Sequence, residues 1–256
     1  MSIIYAVAYQ TVREALRRRV MQIFFIIGVF LIGLGPIFGF LSPKDSPVIL
    51  RSLGLAAILL AGLFISIVTC IYLIPVEIER RTIYTVLSKP TQRYEFVLGK
   101  FLGGFFTVFI NIAAMGAVFL LMLKFQHDGH VLEMARGVML TFFQLMLLAA
   151  ISICFSTFAT PVVNFFLSFG IFLVGNLSSV TDTLTTSHSA LARGVGNFIY
   201  YILPQFGNFN VQNQLIHPEQ DIQNLNVYIM HNIIYAVIYS AIVLAIAIVI
   251  FDHREV

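Results

Sequence analysis

Residues 137–181 form a run of 45 positions without a single Asp, Glu, Lys or Arg. Charged residues make up about a quarter of an ordinary soluble chain; here they make up 11% of 256 residues, and 59% are hydrophobic. A helix needs about 20 apolar residues to cross the hydrocarbon core of a bilayer, so this run is long enough to cross twice. It breaks at Ser156-Thr157 through Thr160-Pro161, because proline lacks a backbone N–H and disfavours helix in the residue before it. The reading is a helical hairpin over 137–158 and 162–180.

The same length criterion predicts four more spans, at 20–40, 52–74, 101–123 and 228–251, with Pro36 kinking the far end of the first. The expected fold is an all-α polytopic membrane protein, one transmembrane domain of six helices. There is no Trp, so Tyr and Phe must supply the interfacial belt. Cys70 and Cys154 both fall within apolar runs, as small packing residues rather than a disulfide framework. Ahead of the first span, Ile4, Val7, Ala8, Val12 and Leu16 recur at helical spacing opposite Gln10, Arg13, Glu14 and Arg17. That pattern predicts an amphipathic helix at the membrane surface with its arginines toward lipid headgroups. The basic cluster Arg17-Arg18-Arg19 stands too far into the chain for a secretory signal and no clean cleavage site follows, so the N-terminus is expected to be retained.

Lysine and arginine counts set the orientation. Arg13, Arg17, Arg18, Arg19, Arg80, Arg81, Lys89, Arg93, Lys100 and Arg254 would share one side, against Lys44, Arg51, Lys124, Arg136 and Arg193 on the other. The positive-inside rule then places both termini in the cytoplasm, in a plasma or inner membrane. A net charge of +3 is too small to suggest nucleic acid.

Eight of the chain's 27 charged residues crowd into 75–100, between the second and third spans. Pro75 suits a first helical position, and Glu77 and Glu79 suit the positive end of a helix dipole. Glu77 and Arg81 are four apart with the acid first, the better order for a side-chain pair. Ser88-Lys89-Pro90 would end a short amphipathic helix over about 75–88. On charge alone, a solvated turn anchoring two spans fits as well.

The string Glu77-x-Glu79-Arg80-Arg81-Thr82-Ile83, then Leu87-Ser88-Lys89-Pro90, then Arg93-Tyr94-Glu95-Phe96-x-x-Gly99-Lys100 resembles the cytoplasmic loop of type-2 ABC exporter permeases. Within that family it is similar to the six-span permeases grouped with nitrous-oxide-reductase maturation. The resemblance extends to the hydropathy plan, the N-terminal helix and the tight turn between spans four and five. It implies that the loop carries a coupling helix that docks on an ATPase, with Glu77, Glu79, Arg80, Arg81, Thr82, Ile83, Lys89 and Arg93 as the coupling residues. It also implies a homodimer, or a pair with a paralogous permease, joined to two ATPase subunits. The sequence contains no G-x-x-x-x-G-K-[ST] phosphate loop, so ATP and Mg would bind the separate ATPase and this chain would be no enzyme and hold no cofactor.

Beyond the fifth span, residues 182–227 form the longest outer segment. Leu191, Val195, Phe198 and Ile202 recur there at intervals of four, three and four, as in an interfacial or re-entrant helix. Residues 205–226 then hold ten Asn or Gln. The resemblance implies outer helices before the last span, so this segment is read as an outer gate or a docking surface for a periplasmic or envelope partner. His127, His130 and Met134 carry ligand-type atoms, but loop histidines ordinarily sit in water, and no metal site is expected. The predicted spans hold no acidic or basic residue between their ends; Asn111, Gln144, Asn164, Asn176 and His231 are among their few strongly polar residues. That disfavours a proton-driven carrier and leaves an intramembrane protease without a nucleophile–base pair or metal cluster.

The function expected is the permease subunit of an ATP-driven exporter. The alternative is an ABC-like scaffold or regulator of a cell-envelope enzyme, distinguishable by whether ATP turnover moves any substrate in vesicles. The topology is tested by reporter fusions. A reporter after Val256 or within 88–92 should report cytoplasm and one at Gln212 the outer side; a cytoplasmic Gln212 would overturn the six-span plan.

Overall fold

The computed structural model describes residues 3–41, 46–76, 93–126, 129–177, 203–209 and 225–253. Among these residues there are seven α-helices and no strand: α1 (Ile3–Arg17), α2 (Arg19–Leu41), α3 (Ser46–Ile71), α4 (Arg93–Phe125), α5 (Val131–Ser156), α6 (Pro161–Asn176) and α7 (Leu225–Asp252), with a 3-10 turn at Phe206–Phe209. Five of them, α2, α3, α4, α5 and α7, are long and apolar enough to cross a membrane. In hydrocarbon a helix satisfies its own backbone groups, which is why sequences of this composition adopt it.

Helix α6 is different. Sixteen residues rise about 24 Å, less than the ~30 Å of a hydrocarbon core. It starts where Thr160 is extended and Pro161 takes the first helical turn, and its end, Asn176, meets Gln144, midway along α5. The described helix therefore covers only half of α5, and residues 178–180 of the expected fifth span lie outside the described residues.

The observed helices also reach past the expected spans. Helix α3 begins at Ser46 rather than 52, which takes Arg51 into the helix as a buried residue. Helix α4 begins at Arg93 rather than 101 and carries Lys100, also buried. The helices thus run on past the expected span ends: length criteria stop at the first charge, whereas a helix continues until its backbone turns.

Helices α3 and α5 form the centre. Within their most apolar windows 72% and 78% of residues are buried, against 22% for α2 and α7. Helix α5 touches α3, α4, α6, α7 and the 3-10 turn. Alternating directions put Arg19, Ile71, Arg93, Ser156, Pro161 and Asp252 at one end, called the elbow end for the α1–α2 junction. At that end the Phe96 and Phe251 rings lie 6.0 Å apart, and Thr69 Oγ1 is 3.7 Å from Met21 Sδ. Phe24 and Phe64 stack at 5.0 Å, and Phe165 and Phe169 of α6 extend the row at 6.5 and 6.3 Å from Phe64.

Among the described residues most buried polar side chains are satisfied locally or across helices, Ser240 Oγ of α7 being one that is not. Ser52, Thr107 and Thr141 donate to the carbonyl four residues back, a usual resolution for hydroxyls in lipid-facing helices. Ser66 Oγ crosses to the Leu145 carbonyl at 3.0 Å. Asn164 Nδ2 donates to the Ser152 carbonyl, Ser168 Oγ to Asn164 Oδ1, and Ser152 Oγ to Ser168 Oγ, each at 2.9 Å. All three side chains are fully buried, and this closed ring ties α6 to α5.

Close packing is enforced by absence of side chain at one crossing in particular. A Cβ on Gly54 of α3 would fall within the Phe119 ring of α4. Gly33 of α2, in contrast, has open space around it. Gly54→Leu should therefore cost about 1–3 kcal/mol or more through overpacking, visible as a lowered midpoint in thermal unfolding of the detergent-solubilised protein. Gly33→Leu should leave it unchanged. Equal midpoints for the two variants would contradict this packing.

Candidate functional site

The charged loop's expected coupling residues Glu77, Glu79, Arg80, Arg81, Thr82, Ile83 and Lys89 lie outside the described residues, and Arg93 is the residue that opens α4. What the structure describes is the pair of stems from which the loop leaves and returns. On the first stem the backbone turns at 72–74, with Leu73 N bonding the Cys70 carbonyl at 3.2 Å, and is helical again at Pro75 and Val76. Leu73 and Ile74 are buried. On the second stem Phe96 and Val97 are buried, and Lys100 Nζ lies 5.5 Å from the Phe96 ring centroid, a cation–π distance. Phe96 in turn packs on Phe251 at the end of α7.

Helix α1 is fastened to the second stem. Ideal Cβ atoms on Gly99 and Gly103 would meet Val7 Cβ at 2.8 Å and the Ala8 carbonyl oxygen at 3.0 Å, and the second would also strike Thr11. Two glycines four apart let helix backbones approach closely, the small-xxx-small device of membrane helix pairs. On the α1 side the buried residues are Ala8, Thr11 and Ala15, one face at helical spacing. Thr11 Oγ1 is satisfied by the Val7 carbonyl at 2.8 Å. The apolar stripe read from sequence is kept in part: Val7 and Ala8 make the contact, Thr11 and Ala15 join them, and Leu16 is exposed. Tyr5 and Tyr9 are also exposed.

The elbow reaches the first stem through Arg18. Its guanidinium binds Glu14 at 2.8 Å and lies 5.6 Å from the centroid of the Tyr72 ring. The arginine therefore bridges the end of α1 to the residue where α3 turns toward the loop. Sequence reading treated Arg18 as one of a topology-setting cluster; its partnering with Tyr72, 54 positions away, has no local signal.

At the opposite end, Leu191, Val195, Phe198 and Ile202 lie outside the described residues. The segment just after them does not: Phe206 and Phe209 are buried between α5, α6 and α7. Gln144 Nε2 donates to the Phe206 carbonyl and to Asn176 Oδ1, both at 3.2 Å. Gln144 stands near the midpoint of α5, about 20 Å along the helix from either end, so this segment penetrates deep into the bundle. Tyr228 Oη and Asn232 Nδ2 both donate to the Asn208 carbonyl, at 2.7 and 3.1 Å, and the Gln205 backbone N–H donates to Tyr235 Oη at 3.2 Å. Phe206 packs on Phe172 at 5.3 Å. Gln144 and Asn176 are visible in the sequence as rare polar residues in apolar runs. The available signal for their partner was Phe206 and Phe209, three apart after Pro204 in a stretch otherwise rich in amides.

His130 Nδ1 lies 2.8 Å from Glu133 Oε2 at the start of α5, Met134 is fully buried, and His127 lies outside the described residues. Among the described residues there is no cluster of three or more His, Cys, Asp or Glu that could hold a metal ion.

No curated protein matches the chain. A family model described as ABC-2 family transporter protein matches residues 4–256, nearly the full length. With its apolar membrane-spanning helices and its charged loop carried on two buried stems, the chain belongs to the ABC-2 family of transporter proteins.

Proposed function

We propose that this chain is the permease subunit of an ATP-driven exporter and that the loop over 77–92 is where a separate ATPase grips it. Membrane subunits of this family are normally non-catalytic and generally work with an ABC ATPase. The observation that carries the reading is the seating of the loop's stems: one joins the elbow through Arg18 and Tyr72, the other joins α1 through Gly99 and Gly103 and α7 through Phe96 and Phe251. A displacement of the loop has α1, α3, α4 and α7 to act on at once.

In this scheme ATP closes the ATPase dimer, which pushes a coupling helix over about 75–88 on each of two permease copies. The two copies, identical or paralogous, then switch between inward and outward access. Helix α6 and residues 178–180 would complete a sixth span. The loop and both termini would face the cytoplasm, α1 would lie at the surface of the inner membrane, and the outer segment from 182 to 227 would form a gate or receive an envelope partner. The loop's likeness to the nitrous-oxide-reductase maturation permeases favours the six-span branch of the family.

Charge reversal tests the loop directly. Truncating a buried partner of a charge pair costs about 2–5 kcal/mol, whereas exposed pairs contribute about 0–1 kcal/mol. Glu79→Lys or Arg81→Glu should release the ATPase on co-purification or abolish stimulated ATP turnover, with membrane insertion intact. Lys44→Glu, on the opposite side, should behave as wild type. Unaltered co-purification and turnover in both loop variants would sink the coupling role.

A further inference from the structure

Between α1, α2 and α4 lies a groove of about 380 Å³, within the size range of small-molecule sites, roughly 300–1,000 Å³. Its walls are Leu16, Phe25, Ile26, Ile110 and Ala114, with two amides, Gln22 and Asn111. Both amides are turned to backbone: Asn111 Nδ2 donates to the Thr107 carbonyl at 2.8 Å, and Gln22 Nε2 to the Leu16 carbonyl at 3.5 Å. That leaves a largely apolar trough.

No charged side chain lines the trough itself, but two arginines adjoin its wall residues Leu16 and Gln22 at the shallow end, here called its mouth. Arg19 stands one turn before Gln22 and two turns before Ile26, on the same face of α2, and Ile26 lies about 10 Å deeper along the helix. Arg17 ends α1 beside it, and both Arg17 and Arg19 are exposed. Arg18 is engaged by Glu14 and Tyr72 and is not part of the mouth.

We propose that this groove holds one acyl chain of an anionic phospholipid whose phosphate is met by Arg17 and Arg19. Charge and depth fit that occupant: cations at the headgroup level, hydrocarbon below. A second copy of the chain fits poorly. A two-fold contact buries the same patch on both partners, so it would cover the arginines of both copies with no acidic residue in the groove lining to pair with them. The proposal rests on the membrane placement of α2 and α4, not on transport, and its test reads lipid contact alone.

The chain has no Trp, so one introduced indole reports one place. Ile26→Trp puts it in the groove at a position already 63% exposed; Ile238→Trp puts it on α7 at a position 56% exposed, away from the arginines. Each full-length variant is reconstituted in phosphatidylcholine vesicles doped with brominated phosphatidylglycerol or brominated phosphatidylcholine, and quenching is compared. The expected result is a preference for phosphatidylglycerol at Ile26→Trp and none at Ile238→Trp. Adding Arg19→Gln should reduce that preference about five-fold, the equivalent of ~1 kcal/mol per basic side chain at an anionic surface. Adding Ala114→Phe, which fills the trough, should remove it with both arginines present. Equal quenching by the two lipids at Ile26→Trp, equal preference at both positions, or a preference that survives Arg19→Gln would each overturn the site. So would shielding of Ile26→Trp from both lipids, the result expected of a second copy seated in the groove.

Discussion

Lipid tails are as apolar as leucine, so burying leucine between two membrane helices gains little over leaving it in lipid. What holds such helices together is close backbone approach, dispersion contact and hydrogen bonds between them. This chain uses all three in separate places. Gly54 lets the Phe119 ring seat against α3; Gly99 and Gly103 let α1 lie on α4. Phe24, Phe64, Phe165 and Phe169 form a row of ring contacts across three helices. The ring of Ser152, Asn164 and Ser168 fixes α6 on α5, and interhelical bonds of this kind average about 0.6 kcal/mol each in a membrane. None is large alone, and the register of the bundle depends on their agreeing.

That agreement has a functional consequence at each end. At the elbow end, the glycine pair seats α1 directly against α4. The loop between α3 and α4 therefore leaves from a rigid base rather than from two independent helix ends. At the opposite end, Gln144 spends its amide on the Phe206 carbonyl and on Asn176, and α7 supplies Tyr228 and Asn232 to a single carbonyl of Asn208. A backbone segment at that depth survives only where protein satisfies it, and Gln144 of α5 with Tyr228, Asn232 and Tyr235 of α7 do so here.

Much of the fold was legible because hydrocarbon tolerates so few sequences. Charge-free length identified the five helices long enough to cross a membrane, and Pro161 marks the turn between α5 and the shorter α6 in the sequence as in the structure. Helix ends were less legible. Arg51 and Lys100 look like boundaries and are instead buried inside helices, because a long basic side chain can run along apolar surface toward a partner or the interface. The face of α1 was legible in part: Val7 and Ala8 of the apolar stripe do meet α4, whereas hydrophobicity also points to Leu16, and close approach selects Thr11 and Ala15 instead. The contacts that define the site, Arg18 with Tyr72 and Gln144 with Phe206, join residues more than fifty positions apart. No spacing rule reaches that far.

We propose that α1 and α4, packed together at Gly99 and Gly103, move as one body when an ATPase drives the charged loop. Tyr9 and Phe106 are both exposed, one on each helix, and accept spin labels without disturbing the glycine contact. Their separation, measured by pulsed dipolar spectroscopy in the complex with its ATPase, should change by no more than about 2 Å between nucleotide-free and ATP-trapped states, the scale of shifts within packed helices. A larger change would mean that α1 parts from α4 during the cycle, and would contradict the account.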